Sequence, residues 1–445
     1  ALGANTTADG NTAFGHEALT ANTTGATNTA IGKETLKANT TGSGNVAVGS
    51  AALDAGNGDH NVAVGEDALT ANTASDNVAV GRKAMESNTT GTYNTALGRA
   101  ALAANTTADN NVAIGRAALT ANTTGTVNVA VGTNALATVT TSSSNVAVGH
   151  NALTANTSGS GNVAVGKDAG EAVTTASYTT AVGYLAGTNI TTGSDNTAFG
   201  SEALRDVTTG AGNTAVGSEA LAVAAGSNNV AVGIDTGKSV STGGENILIG
   251  YQAGYNTVSM TTGNYNVCIG SAVRGSGATV SNEIAIGYNF SAGGANTVRF
   301  GQSTNSATLS LDGSDTSWAA ASDERLKENI EDSDAGLDFI NELRAITYKW
   351  KPKKDVPEDM SQYEADSDEP CKGEGKVNHG FVAQEVKAVI DKYEDVIADG
   401  HNIWSEDPDG TQQIAFGNLM PMMVKAVQEL SAKVEELESK LNNKE

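Results

Sequence analysis

The sequence has little of what an ordinary globular protein of its length is built from. Of its 445 residues, 4% are aromatic, 17% are charged and 5 are proline, whereas 52 are glycine. A compact core of this size normally contains more large apolar side chains. Disordered chains are usually rich in charge and proline, so the composition differs from theirs as well. It therefore predicts a regularly stacked backbone.

Other absences exclude whole classes of function. Cys268 and Cys371 lie far apart and no CxxC motif occurs, so we expect two free thiols and neither a disulfide framework nor a metal site. No apolar run reaches the roughly 18 residues that span a membrane, so membrane insertion is not expected. The formal net charge of -24 argues against nucleic acid as a partner, because phosphates would be repelled. No cofactor is expected.

What the sequence has instead is an internal repeat. The motif NxAxG occurs at Asn11–Gly15, Asn28–Gly32 and Asn45–Gly49, 17 residues apart. We count 18 copies, and the last three are more loosely spaced. The chain opens inside a copy, so we expect it to be the C-terminal part of a longer protein. The closing glycines are Gly15, Gly32, Gly49, Gly65, Gly81, Gly98, Gly115, Gly132, Gly149, Gly166, Gly183, Gly200, Gly217, Gly233, Gly250, Gly270, Gly287 and Gly301.

Each copy has the pattern of one short strand followed by a turn. In NVAVG, β-branched residues alternate with small ones, and this period of two predicts a strand. The polar ANTTG segments favour turns, because Asn and Gly accept positive φ. A unit of 17 residues cannot bury its apolar face alone. We therefore predict a parallel β-solenoid, or β-roll, with one strand per coil and a length of about 85 Å at ~4.8 Å per coil.

The alanine at the third motif position predicts a very close neighbour on that face of the strand. Three rods packed around one axis are the simplest arrangement that supplies such a neighbour, and a trimer also protects strand edges. The repeats resemble the heads of trimeric autotransporter adhesins, and GYQAG at Gly250–Gly254 resembles repeat units of phage tail fibres. The resemblance covers residues 1 to about 301. It implies a trimeric, mainly β fold.

Aromatic residues are concentrated near the end of the repeats. One explanation is capping, because the last coil has no neighbour and needs larger side chains to close it. The other is a receptor-binding tip, since aromatic rings stack on sugars. The candidate receptor-binding residues are Tyr251, Tyr255, Tyr265, Tyr288 and Phe290.

A second folding unit begins where the charge density rises. Residues 322–445 contain 15 of the 26 basic and 29 of the 50 acidic residues. The segment DAGLDFINELRAITYKWK predicts a helix and then a strand, and NHGFVAQEVKAVIDKY predicts a strand and then a helix. Apolar residues alternate in steps of four and three between Met423 and Leu441, which is typical of a short coiled coil. We place this coiled-coil end at 419–441 of an α+β domain.

Three segments of this unit resemble one known domain. They are SDERLKENI at Ser322–Ile330, HGFVAQEV at His379–Val386 and LMPMMVKAVQELSAKVEELE at Leu419–Glu438. Together they resemble the C-terminal intramolecular chaperone of phage endosialidases, tailspikes and tail fibres. The resemblance implies a trimeric chaperone that folds the fibre and then cuts itself off. It places the scissile bond at Ala321-Ser322 and makes His379 a supporting catalytic residue.

The residues themselves are compatible with that cut. Ser322 carries a hydroxyl next to the carbonyl of Ala321, and Lys327 can act as its base if burial lowers the lysine pKa. The alternative from spacing alone is that Lys327 is an ordinary surface residue of a helix. Apart from this autoproteolysis by a Ser-Lys pair, no enzymatic turnover is expected.

These features together predict a phage tail fibre or tailspike that attaches to the host surface. Its domains would be the repeats at 1–301, a connector at 302–321 that leads to the cleavage site, and the chaperone at 322–445. The expected partners are two further copies of the chain, a host glycan or protein receptor and other virion tail proteins. It would assemble in the host cytoplasm and function as part of the tail of the virion. Two alternatives are a glycan-degrading tailspike with its catalytic domain upstream and a bacterial trimeric surface adhesin.

Overall fold

The computed structural model describes two compact units, residues 1–321 and 322–445. Within them, the described residues are 2–255, 260–303, 305–311, 319–320, 328, 330, 332–358, 360, 362–372, 375–393, 403–406 and 410–443. Ala321, Ser322 and Lys327 lie outside these ranges. Each unit is described by itself.

The first unit is a parallel β-solenoid in which each sequence repeat supplies one strand. Every strand from β1 to β17 pairs in parallel with the next one, for example Ala113 of β7 with Ala130 of β8. The prediction of one strand per repeat is therefore confirmed. The strands are β1 Thr12–Phe14, β2 Thr29–Ile31, β3 Val46–Val48, β4 Val62–Val64, β5 Val78–Val80, β6 Thr95–Leu97, β7 Val112–Ile114, β8 Val129–Val131, β9 Val146–Val148, β10 Val163–Val165, β11 Thr180–Val182, β12 Thr197–Phe199, β13 Thr214–Val216, β14 Val230–Val232, β15 Ile247–Ile249, β16 Val267–Ile269, β17 Glu283–Tyr288 and β18 Thr297–Gln302.

The motif alanine faces the interior of its own coil. Ala113 is fully buried, as is Leu119 from the segment that follows the strand, and both belong to one continuous core. The residues on either side of the alanine, Val112 and Ile114, point outward and are half-buried. The small size of the alanine is thus explained within one chain, and its use as an argument for three rods was wrong. The outer face of the strands remains available for packing between chains.

A ladder of buried asparagines connects the coils. The backbone N–H of Asn128 donates to Oδ1 of Asn111 in the preceding coil at 3.0 Å, and Nδ2 of Asn111 donates to the carbonyl of Gly125 at 2.9 Å. The same contacts recur along the solenoid, so the first residue of NxAxG satisfies backbone groups of the next coil. Buried polar groups have to be paired in this way.

The closing glycine of the motif is required by space. Gly98 has a φ of +140°, and a Cβ added to it would lie 2.4 Å from the carbonyl oxygen of Gly115 in the next coil. Both the backbone conformation and the contact with the neighbouring backbone therefore exclude other residues. This explains why glycine recurs at the fifth motif position.

The core keeps its volume when individual residues change. The coil that contains Leu102 has the buried Asn105 three residues later. In another coil the leucine position is Gly187, and the residue three positions on is the buried Ile190. A Cβ on Gly187 would lie 2.9 Å from the Cδ1 atom of Ile190, so the isoleucine fills the space that leucine occupies elsewhere. Substitutions that keep the total volume of a core are the ones that a closely packed interior tolerates best.

The solenoid ends in a change of strand direction. Strand β19, Asn305–Ser310, pairs antiparallel with β18, and β20, Ala319–Ala320, pairs antiparallel with β19. Within the range 302–321, expected to be a connector, residues 305–310 and 319–320 thus continue the sheet. Near this end the buried carboxylate of Glu283 takes the ladder position and accepts N–H bonds from Ser276 and Gly294, both at 3.1 Å.

The second unit combines helices with short antiparallel strand pairs. It contains α1 Leu337–Glu342, β21 Ile346–Tyr348, β22 Asn378–Gly380, α2 Ala383–Lys392, β23 Trp404–Glu406, β24 Gln412–Ile414 and α3 Met420–Asn442, with 3-10 turns at Lys353–Asp355 and Phe416–Leu419. Strand β21 pairs antiparallel with β22, and β23 with β24. The predicted orders of helix then strand and strand then helix are confirmed.

We predict that Asn111→Ala destabilises the solenoid by about 1 to 3 kcal/mol. The change leaves the backbone N–H of Asn128 buried without its partner, whereas the carbonyl of Gly125 still accepts a bond from Nδ2 of Asn122 at 2.9 Å. Urea unfolding followed by circular dichroism measures the effect.

The matched control for this ladder residue is Thr124→Ala in the same coil. The Thr124 side chain is exposed, so its loss is expected to change stability by less than about 0.5 kcal/mol. Equal shifts for the two variants would contradict a structural role for the ladder.

Candidate functional site

His379 is the one predicted catalytic residue that lies within the described part of the chain. It occupies the middle of β22, opposite Thr347 of β21, and its side chain is exposed. Ser322, Lys327 and the Ala321-Ser322 bond lie outside the described residues, so the structure does not say whether they approach His379.

His379 borders a shallow cavity of about 320 Å³. Ala345, Ile346, Phe381 and Phe416 form its apolar walls, and the Phe381 and Phe416 rings lie 5.9 Å apart. The imidazole therefore sits at the edge of an apolar surface that remains accessible from solvent. Such a surface has room for a polypeptide segment beside the ring.

The two polar residues of the AQE motif have separate surroundings. Nε of Arg344 donates to Oε2 of Glu385 at 2.9 Å, and these hydrogen bonds hold the pKa of Glu385 below its usual value. Glu385 therefore fastens α2 to the segment between α1 and β21. Gln384 instead lines a second cavity, of about 550 Å³, together with Trp350 and Cys371. Among the hydrogen bonds of the described residues, none joins Glu385 or Gln384 to His379.

The core of this unit holds the three helices together. Phe339 of α1 is fully buried and meets the ring of Tyr393 edge to face, with 5.5 Å between centroids. Oε2 of Glu429 on α3 accepts the backbone N–H of Leu337 at 2.8 Å and so caps the first turn of α1. Local sequence patterns carry no signal for this cap, since its partners are 92 positions apart.

The C-terminal helix leaves its apolar seam uncovered in the single chain. Its first turns pack on α1, but every residue from Ser431 to Asn443 is exposed. A cavity of about 390 Å³, lined by Leu343, Phe381 and Met423 among others, opens beside the start of the seam. The exposed seam residues are Met423, Val427, Leu430, Val434, Leu437 and Leu441. The helix is confirmed, while its pairing in a coiled coil stays a prediction.

The solenoid also has an uncovered apolar face. The second and fourth residues of each NxAxG motif point outward in stacked rows along the coils, and among the fourth residues Phe14 is 75%, Leu97 45% and Phe199 55% exposed. Contiguous apolar surface of this kind typically marks an interaction site.

The candidate receptor-binding residues are not equivalent. Tyr251, Tyr265 and Tyr288 are about half exposed, and Tyr255 is half-buried, with Nζ of Lys238 5.8 Å from its ring centroid. Phe290 is only 3% exposed and belongs to the solenoid core, so its assignment to a receptor surface was wrong. For Phe290, capping is the explanation that fits.

Comparison with known proteins identifies part of the second unit. Residues 322–395 match the family described as chaperone of endosialidase. The chain thus carries a chaperone domain of this family directly after the solenoid. The match starts at Ser322 and includes His379 and the AQE segment, whereas α3 lies beyond it. A search of curated proteins found no match to the chain. Among the described helices, none is both long and apolar enough to cross a membrane.

Proposed function

We propose that this protein is a fibre or spike of a phage tail, which assembles as a homotrimer and attaches to the host surface. Its chaperone domain sets chain number and register, then releases itself by cutting before Ser322. The observation that carries the proposal is the position of the chaperone match, which begins at residue 322, one residue after the solenoid unit ends. Solenoid repeats alone would support only a spacer.

The outward rows of Val, Ile, Leu and Phe support the trimer. They run along the strands from β1 to β17, so three parallel copies could bury them around one axis. At ~25 cal/mol per Å² of apolar surface, contacts repeated over that length give a large driving force. The net charge of -24 disfavours close approach of copies elsewhere and leaves this face as the best candidate.

The C-terminal helix supports the same stoichiometry. Its last turns, from Ser431 to Asn442, have no neighbour in the single chain. An isolated helical segment as short as this end is marginal in water. Packing of three seams would bury the residues from Met423 to Leu441 and stabilise the helix. The chaperone domain would then join three chains at one end before the coils form.

A separate trimerisation device answers a physical problem of the repeats. Neighbouring coils differ at few buried positions, so three chains displaced by one repeat would still bury nearly the same surface. Pairing that is weakly specified is prone to slippage. A domain that aligns the chains at one end removes that ambiguity, and its removal afterwards leaves the fibre kinetically trapped.

The proposed cut needs no cofactor. The Ser322 hydroxyl oxygen adds to the Ala321 carbonyl carbon while Lys327, in its neutral form, accepts the hydroxyl proton. The amide C–N bond breaks, the nitrogen takes up the proton, and an ester joins Ala321 to the Ser322 oxygen. Water then hydrolyses this ester, which gives a carboxylate on Ala321 and restores the serine. His379 assists by orienting or relaying a proton.

We predict that expression of the chain yields a C-terminal fragment beginning at Ser322. Ser322→Ala removes the nucleophile and should abolish the fragment, and Lys327→Met should slow its formation by at least about 100-fold, the scale of a general base. Denaturing gels and intact mass follow the reaction.

The control for cleavage is Ser333→Ala, which removes an exposed hydroxyl from the same segment and should leave the fragment unchanged. An uncut wild-type chain under all conditions would restrict the domain to passive trimerisation.

We also predict that Leu430→Asp prevents trimer formation. It places a charge in the seam, where burial of an unpaired carboxylate is costly. Light scattering after size exclusion should give a trimer for the parent chain and smaller species for the variant.

Ala432→Asp adds the same charge to the same helix outside the seam and should remain trimeric. If the parent chain is monomeric, or if both variants assemble alike, the proposed role of the seam is wrong.

A further inference from the structure

Three arginines form a file on the outer surface of the solenoid. Arg82, Arg99 and Arg116 each follow the closing glycine of their repeat, in three successive coils. We call them the arginine file. The backbone N–H of Ala100 donates to the carbonyl of Arg82 at 3.0 Å, and that of Ala117 to the carbonyl of Arg99 at 3.0 Å. The solenoid therefore stacks the three side chains at intervals of ~4.8 Å.

Two of these arginines lack a carboxylate partner. Arg82 bonds Glu66 at 3.0 Å, but Arg99 and Arg116 have no ion pair among the residues that the structure describes. All three side chains are exposed. Most other cations of the solenoid lie within about 4 Å of a carboxylate, the usual limit of an ion pair. They are Lys33, Lys37, Lys83, Lys167, Arg205 and Lys238.

Around Arg99 and Arg116 the solenoid carries little negative charge. Other coils carry Glu or Asp one position beyond the file, such as Glu34 and Asp168, but the coils of Arg99 and Arg116 have Ala100 and Ala117 there. Between Glu86 and Lys167, Asp109 is the sole acidic residue in the sequence. Its Oδ1 accepts bonds from the backbone N–H and hydroxyl of Thr92, at 2.6 and 3.0 Å.

Like charges stacked at this interval repel one another, and a line of anions would relieve the repulsion. The protein as a whole is strongly negative, so a locally positive stripe is not a by-product of composition. A guanidinium also pairs with a carboxylate or sulfate through two parallel hydrogen bonds, which a lysine cannot do. The file thus has the geometry of a site for a linear, regularly charged ligand.

We propose that the arginine file binds an acidic polysaccharide laid along the rod axis, with one anionic group at each arginine. This inference rests on the proposed attachment function and specifies the chemistry of the receptor. It moves the binding site from the tyrosines near the last coils to the middle of the solenoid.

A polysaccharide fits better than nucleic acid. Three guanidiniums neutralise few phosphates, while the charge of -24 repels a densely charged backbone. A polysaccharide with about one negative charge per sugar can pair with the arginines of the file. Its lower charge density causes less repulsion from the acidic surface elsewhere on the protein. Binding of oligo(dT) tests the nucleic acid alternative.

The test is binding of fluorescein-labelled alginate and dextran sulfate to the full chain, followed by fluorescence anisotropy at low salt. The variant Arg99→Gln/Arg116→Gln should weaken binding of at least one probe about tenfold or more, a loss expected for two charge-assisted contacts. Neutral dextran should not bind. The preferred probe distinguishes carboxylate from sulfate as the recognised group.

The matched control is Lys33→Gln/Lys167→Gln. These lysines lie in the same file position of other coils and their loss changes the net charge equally, but each has a carboxylate neighbour. Its affinity should match that of the parent chain. Arg99→Lys/Arg116→Lys, which keeps the charge without the planar fork, should give intermediate affinity.

Three results would overturn the proposal. They are absence of binding by both acidic probes, equal losses in the glutamine variant and its lysine control, and binding of oligo(dT) that is as tight and as dependent on the arginines. Thermal unfolding confirms that each variant is folded. Trimer formation and cleavage are measured on the same samples, so a failure of the proposed assembly function is seen separately from a failure of glycan binding.

Discussion

The structure depends on one constraint: a coil of the solenoid satisfies many of its buried backbone groups through the coils next to it. The ladder bond from Asn128 to Asn111 is one case, and the bond from the backbone N–H of Gly115 to the carbonyl of Leu97 at 2.7 Å is another. A single repeat therefore has neither a closed core nor a full set of paired polar groups, and stability accumulates with stacking. The same constraint makes the interior nearly identical from coil to coil. The uniform interior therefore stabilises the solenoid but hardly specifies how one chain aligns with another.

The sequence was sufficient to predict strands, their parallel pairing and one strand per repeat, because alternation and spacing encode those directly. It was not sufficient to decide which strand face lies inside. Ala113 and its neighbours Val112 and Ile114 are all apolar, so alternation defines two faces without ranking them. The decision comes from the leucine position after the strand, which faces the motif alanine across the coil. In one coil this position is Gly187, and a Cβ added to it would lie 3.5 Å from the Cβ of Ala181. That contact depends on the path of the turn, which local pattern does not specify.

The candidate site shows the same division between local and distant information. The strand with His379 and the helix with Glu385 were predictable from periodicity within a few residues. The cap that Glu429 provides for Leu337 was not, since it requires α1 and α3 to meet. Phe290 was misassigned for a related reason. An aromatic residue near the end of the repeats suits a binding surface and a core equally well in sequence, and only tertiary packing places it at 3% exposure.

The end of the solenoid explains how a chaperone could leave without exposing the stack. Parallel pairing stops at β18, because β19 returns antiparallel, and the buried Glu283 closes the polar ladder through Ser276 and Gly294. All of these residues precede Ser322. A cut at that residue would therefore remove the proposed trimerisation device and keep the terminating strands. On the proposed assembly route, the repeats would need an external guide while chains align, and their own last strands would suffice once the stack is complete. Assembly and lasting stability would then reside in different parts of one chain.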